Sequence, residues 1–158
     1  MATLRLAPMV FKRLSGPESI AIQHGKEKAS QTYKQGALLL FDSGTGYLGE
    51  CGSDPALVQA VAMIAASGVT ARDVPYLMPR KGMVFEISMD ESGAQGVYAL
   101  AQTDMGKKYG AAKDSTTGFW YLDQDETASP VFEIVGFVSA IGDITPRVEV
   151  EFTLTAME

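Results

Sequence analysis

The fold is decided by Gln102–Phe152, which reads QTDMGKKYGAAKDSTTGFWYLDQDETASPVFEIVGFVSAIGDITPRVEVEF. A short basic link punctuated by glycine leads to an aromatic stretch, Phe119–Leu122, and then to an acidic turn. Two further stretches follow, Val131–Val138 and Arg147–Leu154, with apolar residues at alternate positions. Alternation with a period of two is typical of strands that bury one face. We therefore predict three strands in this region, and we find no catalytic pattern among them.

The rest of the chain contains more stretches of the same kind. They are Ala37–Phe41, Tyr47–Cys51, Val74–Met78, Met83–Met89 and Val97–Ala101. Short apolar stretches at this spacing, separated by Gly and Asp turns, are typical of small barrels and sandwiches. The sequence thus predicts a mostly β fold, a small antiparallel β-barrel or sandwich with at most one short helix.

One apolar stretch, Leu57–Ala66, has two interpretations. Its Ala and Met content favours a helix, and Asp54 and Pro55 suit the N-cap and the first helical position. Its dense apolar character also fits a buried strand. Periodicity does not separate the two for so short a run.

Charge divides the chain into two parts. Residues 1–34 carry six Lys or Arg against two acids, whereas the whole chain has a net charge of −6. We predict an extended, irregular basic arm over residues 1–31, interrupted by Pro and Gly, and a single β-rich domain over residues 32–158. Within the arm, Leu4–Leu6 and Met9–Phe11 could each pair as a strand or sit in a groove, and Ile20 and Ile22 could begin a strand. A basic arm on an acidic body suits docking onto a partner with acidic patches. The acidic body argues against direct binding to nucleic acid.

Composition sets further limits. Hydrophobic residues make up 46% of the chain and charged residues 20%, which is ordinary for a folded protein. The longest nearly apolar run, Ala56–Ala66, is too short to span a bilayer, and the first residues lack the apolar core of a secretory signal. Membrane contact is therefore not expected. Because Cys51 is the single cysteine, no intrachain disulfide forms, which fits synthesis in a reducing cytoplasm.

The segment Gly44–Gly49, GTGYLG, matches the pattern G-x-G-x-x-G after a predicted strand. That pattern binds a dinucleotide only where a helix begins inside it. Here Gly52 and Pro55 follow, and no alternation of strands and helices continues. We interpret the segment as a hairpin turn and expect no cofactor.

No residue set has the composition of a catalytic or metal site. The only histidine, His24, lies in a polar stretch, and Cys51 follows the acidic Glu50. One Cys and one His do not complete a tetrahedral zinc site. The acidic turn Asp123–Glu126 is followed by neither the glycine nor the final acid that a calcium loop requires. We predict no catalytic residue and no metal, and we predict that the chain is not an enzyme.

The cluster Phe119-Trp120-Tyr121 has three interpretations: core packing, contact with another protein, and stacking on a ligand. In a strand, Trp120 lies on the face opposite to Phe119 and Tyr121, so at least one side is expected in the core. Trp120 and Tyr109 are our candidates for an inter-subunit or capsid contact. We interpret Gly106–Gly110, GKKYG, as a basic surface connection between strands.

Element order and a loose pattern resemble the head decoration (cement) proteins of tailed bacteriophages. The resemblance covers most of residues 1–154, from the basic start MATLRLAPMVFKRLSG through the hairpin region to a D-x-G-x-x-Y-G link and two closing strands. In this chain the link residues are Asp104, Gly106, Tyr109 and Gly110. The resemblance implies a β-tulip-like fold and favours a strand at Leu57–Ala66.

The resemblance also implies a function. It implies a structural virion protein, made in the host bacterial cytoplasm, that binds the outer surface of the expanded capsid and bridges neighbouring major capsid subunits. Its partners are then the major capsid protein and further copies of itself, with a trimer as our guess. The capsid-contact residues that we predict on this basis lie in the arm: Leu4, Arg5, Leu6, Met9, Val10, Phe11, Lys12 and Arg13.

A second function remains open. The chain also suits a viral β-sandwich module that recognises carbohydrate or another surface ligand. Such a module is expected to expose Trp120 or Tyr121 as a stacking platform.

Overall fold

The computed structural model describes residues 6–14, 20 and 22–157, and it is built almost entirely from β-strands. The strands are β1 Val10–Leu14, β2 Gln23–Lys26, β3 Leu38–Phe41, β4 Leu48–Glu50, β5 Ala60–Ala62, β6 Asp73–Leu77, β7 Met83–Asp90, β8 Lys108–Lys113, β9 Trp120–Asp123, β10 Phe132–Phe137 and β11 Arg147–Phe152. A 3₁₀ turn at Gln102–Asp104 and one short helix, α1 Leu154–Met157, complete the described elements. The predicted fold class, mostly β with a small barrel and at most one short helix, is confirmed.

Five strands form a closed barrel in the order β7-β11-β10-β8-β9. A short parallel pairing between β9 and the end of β7, Met89 with Leu122 and Asp90 with Asp123, closes the ring. The strand β11, RVEVEF, alternates strictly: Val148, Val150 and Phe152 are buried, and the charged residues between them are half-buried. This is the alternation expected of a strand in a small barrel, whose interior is filled by side chains.

Aromatic rings fill one part of the barrel interior. The ring of Phe152 lies 5.3 Å from that of Phe85 and 4.9 Å from that of Phe132, measured between centroids. All three side chains are buried. Edge-to-face and tilted pairs at these distances add to the stabilisation that burial alone provides.

The other five strands form a second sheet in the order β2-β6-β5-β3-β4. It curls so far that its two edge strands nearly meet, since Glu27 and Leu48 form an isolated bridge between them. Buried residues of the barrel and of this second sheet belong to one continuous hydrophobic core. A main-chain bond from Val58 N–H to the Ala156 carbonyl, 2.7 Å long, also links the two halves.

Two parts of the predicted arm are strands of these sheets. The strand β1 pairs antiparallel with β7, and β2 pairs antiparallel with β6. Phe11 packs edge-to-face on Phe85, with centroids 5.6 Å apart. The expectation that residues 1–31 are irregular is therefore wrong at 10–14 and 23–26. The alternative that Met9–Phe11 pairs as a strand agrees with β1 at Val10 and Phe11, and a bulge between Phe11 and Arg13 explains why VFKRL lacks a clean alternating pattern.

Several strand predictions are confirmed and two need correction. The two apolar segments around Gly44–Gly49 form the predicted hairpin, and Leu57–Ala66 contains the strand Ala60–Ala62 and no helix. Val97–Ala101 is not a regular strand: only Ala99 makes a bridge, to Ile144. Residues 108–113, interpreted in part as a surface connection, form β8, because the side chain of Tyr109 turns into the barrel core.

Candidate docking surface

Two loops meet at the end of the barrel where β10 ends and β11 begins. The segment 97–100 pairs with residues 142–145 of the β10–β11 connection. Thr145 N–H donates to the Tyr98 carbonyl at 3.0 Å, Leu100 N–H donates to the Asp143 carbonyl at 3.0 Å, and Gly142 N–H donates to the Leu100 carbonyl at 2.8 Å. These bonds hold the two loops as one surface.

Aliphatic side chains are exposed on both loops. We call the following five residues the aliphatic patch: Val97 (59% exposed), Val138 (46%), Ile141 (52%), Ile144 (52%) and the exposed Ala99. Ala99 and Ile144 lie directly opposite each other in the bridge, so their side chains are close neighbours. The other three residues lie on the same two hydrogen-bonded loops. Exposed aliphatic residues that lie singly are ordinary, whereas a group of them on one surface favours an interaction site.

The patch is also almost free of charge. Residues 92–103 contain no charged residue, and residues 134–146 contain only Asp143, in a chain that is 20% charged. The carboxylate of Asp143 accepts a hydrogen bond from Ala140 N–H at 2.9 Å within its own turn. We did not predict this surface from the sequence. The signal that was available is the pair of uncharged runs, each carrying aliphatic residues in a loop.

A buried carboxylate holds the first of the two loops in place. Asp104 is 1% exposed and accepts bonds from Tyr98 Oη at 2.6 Å and from Ala101 N–H at 2.9 Å. Burial, followed by the bond to Asp104, raises the pKa of Tyr98 well above its ordinary value. The backbone beneath Val97 and Ala99 is therefore fixed by side-chain bonds.

The link residues that carried the family resemblance have structural roles here. Asp104 and Tyr109 lie inside the molecule, and their side chains are 3.5 Å apart, from Tyr109 Oη to Asp104 Oδ1. Gly106 has a φ of +78°, a conformation that favours glycine. A Cβ atom at Gly110 would clash with the side chain of Glu126. These four residues shape the turn into β8.

The two aromatic contact candidates are buried within the chain. Trp120 is 2% exposed and Tyr109 is 4% exposed, so neither side chain has surface to offer a partner. The indole Nε1 of Trp120 donates to Glu50 Oε1 at 2.9 Å, and Lys113 Nζ donates to Glu50 Oε2 at 2.7 Å. Trp120 thus joins the barrel to β4 of the second sheet, which fits the core interpretation.

The predicted arm contacts divide into buried and exposed residues. Leu6 and Met9 are buried, and Phe11 packs partly against the core, so these three side chains already have partners inside the chain. Val10, Lys12 and Arg13 are exposed. Lys12 Nζ lies 2.9 Å from Glu86 Oε2, and Arg13 pairs with Glu149. The remaining two predicted contacts, Leu4 and Arg5, lie outside the described residues.

The glycine-rich segment and the acidic turn have local structural roles. Asp42 accepts bonds from Gly44 N–H at 3.0 Å and Thr45 N–H at 2.9 Å, so the glycine-rich segment is the turn of the β3–β4 hairpin, as predicted. Asp123 Oδ1 accepts bonds from Ser92 N–H at 3.0 Å and Asp125 N–H at 3.1 Å. The acidic turn is therefore tied to the loop after β7 by its own carboxylates.

The single histidine and the single cysteine have different surroundings. His24 is exposed and its Nδ1 lies 2.8 Å from Asp73 Oδ2, whereas Cys51 is buried, and burial raises the pKa of its thiol to about 12. Across the described ranges, no group of three or more His, Cys, Asp or Glu side chains is arranged to hold a metal ion. In that same part of the chain, no helix is long and apolar enough to cross a membrane.

Comparison with known proteins adds no relative to this description. No family model, no curated protein and no solved structure matches the chain.

Proposed function

We propose that this chain is a structural protein that docks through its aliphatic patch onto the outer surface of an expanded phage capsid. One observation carries the proposal: five exposed aliphatic residues on two hydrogen-bonded loops, with a single charged residue between them. Protein contact surfaces are depleted of charge at their centre. The resemblance to head decoration proteins supplies the identity of the partner, the major capsid protein.

The size of the patch sets the strength of one contact. Full burial of a Val or Ile side chain stabilises by about 1.5–3 kcal/mol. Four such side chains, each about half exposed, therefore offer roughly 3–6 kcal/mol before the entropic cost of association. A single site of this size is weak, so stable attachment depends on additional contacts or on several linked copies.

A capsid lattice suits such a contact. It presents many equivalent sites, and a protein that binds only the expanded state stabilises that state by mass action at each site. Copies that also contact each other, as in the proposed homo-oligomer, gain avidity without a stronger individual contact. Bridging of neighbouring capsid subunits follows from attachment at several such sites.

The carbohydrate-binding alternative loses the two residues that the sequence predicted as its stacking platform. Stacking on a sugar requires an exposed aromatic face, and Trp120 and Tyr121 are only 2% and 1% exposed.

The test is co-sedimentation with expanded, undecorated capsids of the phage that encodes the chain, beside unexpanded procapsids. We expect saturable binding to the expanded form alone. The double variant Ile141→Asp/Ile144→Asp is expected to lose binding, because two carboxylates are then desolvated in the contact.

Ile22→Asp is the matched control, since Ile22 is 54% exposed but does not belong to the patch. It is expected to bind like the parent chain. Equal binding by the patch variant and the parent would show that the patch is not the docking surface. Absence of binding by the parent chain itself would refute the capsid function.

A further inference from the structure

The segment 97–100 leaves one of its two edges free. Its bonds to residues 142–145 use the main-chain groups of Tyr98 and Leu100. Ala99 and Ile144 are therefore a non-hydrogen-bonded pair, in which the N–H and C=O of each residue point away from the other. Within the described part of the chain, no hydrogen bond uses the main-chain N–H or C=O of Val97 or Ala99.

A free edge of this kind is a template for another strand. Proteins prevent unwanted pairing by placing charged side chains, proline or a bulge at such an edge. Residues 92–103 contain neither a charged residue nor a proline. The side chains of Val97 and Ala99, together with the neighbouring Ile144, border the edge with apolar surface.

We propose that the major capsid subunit docks by adding an extended segment to the edge at Val97 and Ala99. Main-chain hydrogen bonds supply part of the affinity, and alternate aliphatic side chains of the added segment contact the aliphatic patch. This inference rests on the proposed function and names the part of the partner that binds: an extended segment rather than a folded surface.

Charge favours a capsid segment over a second copy of this chain. Asp143 is the one charged residue in the two runs that form this surface, residues 92–103 and 134–146, so the surface carries no base that a second copy could pair with that acid. Two copies paired edge to edge would bring together two chains that each carry a net charge of −6. An aliphatic segment flanked by Lys or Arg instead complements the acidic chain.

The test replaces Ala99 by proline and, as a matched control, by valine. Ala99→Pro removes the free N–H and blocks strand addition, but it removes no hydrogen bond of the free chain. Ala99→Val keeps the N–H and the apolar character. We expect Ala99→Pro to weaken binding to expanded capsids about tenfold or more, and Ala99→Val to bind like the parent.

Hydrogen exchange on the unmodified chain provides a second readout that does not depend on a variant folding. The amides of Val97 and Ala99 are expected to exchange quickly in the free protein and slowly on the capsid. Unchanged exchange at both amides would refute strand addition.

The outcomes separate this inference from the proposed function. If Ala99→Pro binds like the parent while Ile141→Asp/Ile144→Asp does not, docking uses side chains alone and strand addition is wrong. If Ala99→Pro lowers the molar mass that light scattering measures for the free protein, the occupant of the edge is a second copy. If the parent chain does not bind capsids, both proposals fail.

Discussion

The barrel and the second sheet are closed by different means. In the barrel, the two pairs between β7 and β9 complete a ring around buried aromatic side chains, with Phe152 between Phe85 and Phe132. In the second sheet, one isolated main-chain bridge, Glu27 with Leu48, joins the edges, and the side chain of Glu27 is a buried carboxylate. The first closure surrounds apolar packing, whereas the second lies beside a buried polar group that is bonded to a neighbouring loop.

Hydrogen bonds explain how the second sheet tolerates that carboxylate. Glu27 accepts bonds from Ser67 N–H at 3.0 Å, Ser67 Oγ at 3.0 Å and Gly68 N–H at 2.6 Å. A buried charge is costly unless hydrogen bonds satisfy it. The comparison teaches that damage to the barrel core affects the whole molecule, whereas damage at Glu27 first affects one loop.

The largest loss of stability is expected from a substitution in the barrel core. Phe152→Ala removes a buried ring that contacts two others, and such truncations cost about 3–5 kcal/mol of unfolding free energy. Because one continuous core links the two halves, we expect a single unfolding transition at a lower temperature, measured by calorimetry. Loss of structure in the barrel alone, with the second sheet still folded, would contradict the continuous core.

A smaller and more local effect is expected in the second sheet. Glu27→Ala leaves the N–H groups of Ser67 and Gly68 without their acceptor, at a cost of about 2–3 kcal/mol. Hydrogen exchange is expected to quicken around residues 67–72 before it changes in the barrel. Glu27→Gln, which retains one acceptor oxygen, is the control and is expected to lose less. Equal exchange in both halves would show that the carboxylate has no local role.

The smallest expected effect is a pH dependence of stability that arises where the barrel closes. Asp90 lies in the last pair of β7 with β9. Burial raises the pKa of its carboxyl group, and the nearby acids Asp123 and Asp114 raise it further. The hydrogen bonds that the carboxylate accepts from the backbone of Gly96 and Glu91 oppose this rise. A raised pKa means that the folded chain binds the proton more tightly than the unfolded chain. The resulting stabilisation is present at low pH and is lost as pH rises from about 4 through the raised value.

Asp90→Asn removes this pH dependence. The unfolding free energy of the parent, measured by urea titration at several pH values, is expected to fall across that range relative to the variant. Parallel curves for the two proteins would mean that Asp90 titrates normally in the folded chain.

Strands were predictable from the sequence where one face is apolar and the other is charged. In β11, three valine and phenylalanine residues alternate with charged ones, and the structure buries the apolar set. In β1, the bulge after Phe11 breaks the alternation, and the partner strand β7 is distant in sequence. In β8, KYGAAK, the glycine and lysines indicated a link, but the buried Tyr109 and Ala111 belong to the barrel interior.

The docking surface was not predictable from local patterns. Its members are single aliphatic residues in loops, and such residues are common on protein surfaces. They form a patch only because the bridge between Ala99 and Ile144 joins two loops that are far apart in the sequence. The residues that did attract attention, Trp120 and Tyr109, are large and aromatic, and for that reason the fold buries them.

The long-range pairing of β7 also determines when the molecule can be completed during synthesis. Its neighbours β1, β11 and β9 come from the beginning, the end and the later middle of the described chain. Since β11 pairs with both β7 and β10, the ring stays open until Arg147–Phe152 has left the ribosome. Until then the edge of β7 that pairs with β11 stays open, so incomplete chains are expected to be prone to aggregation.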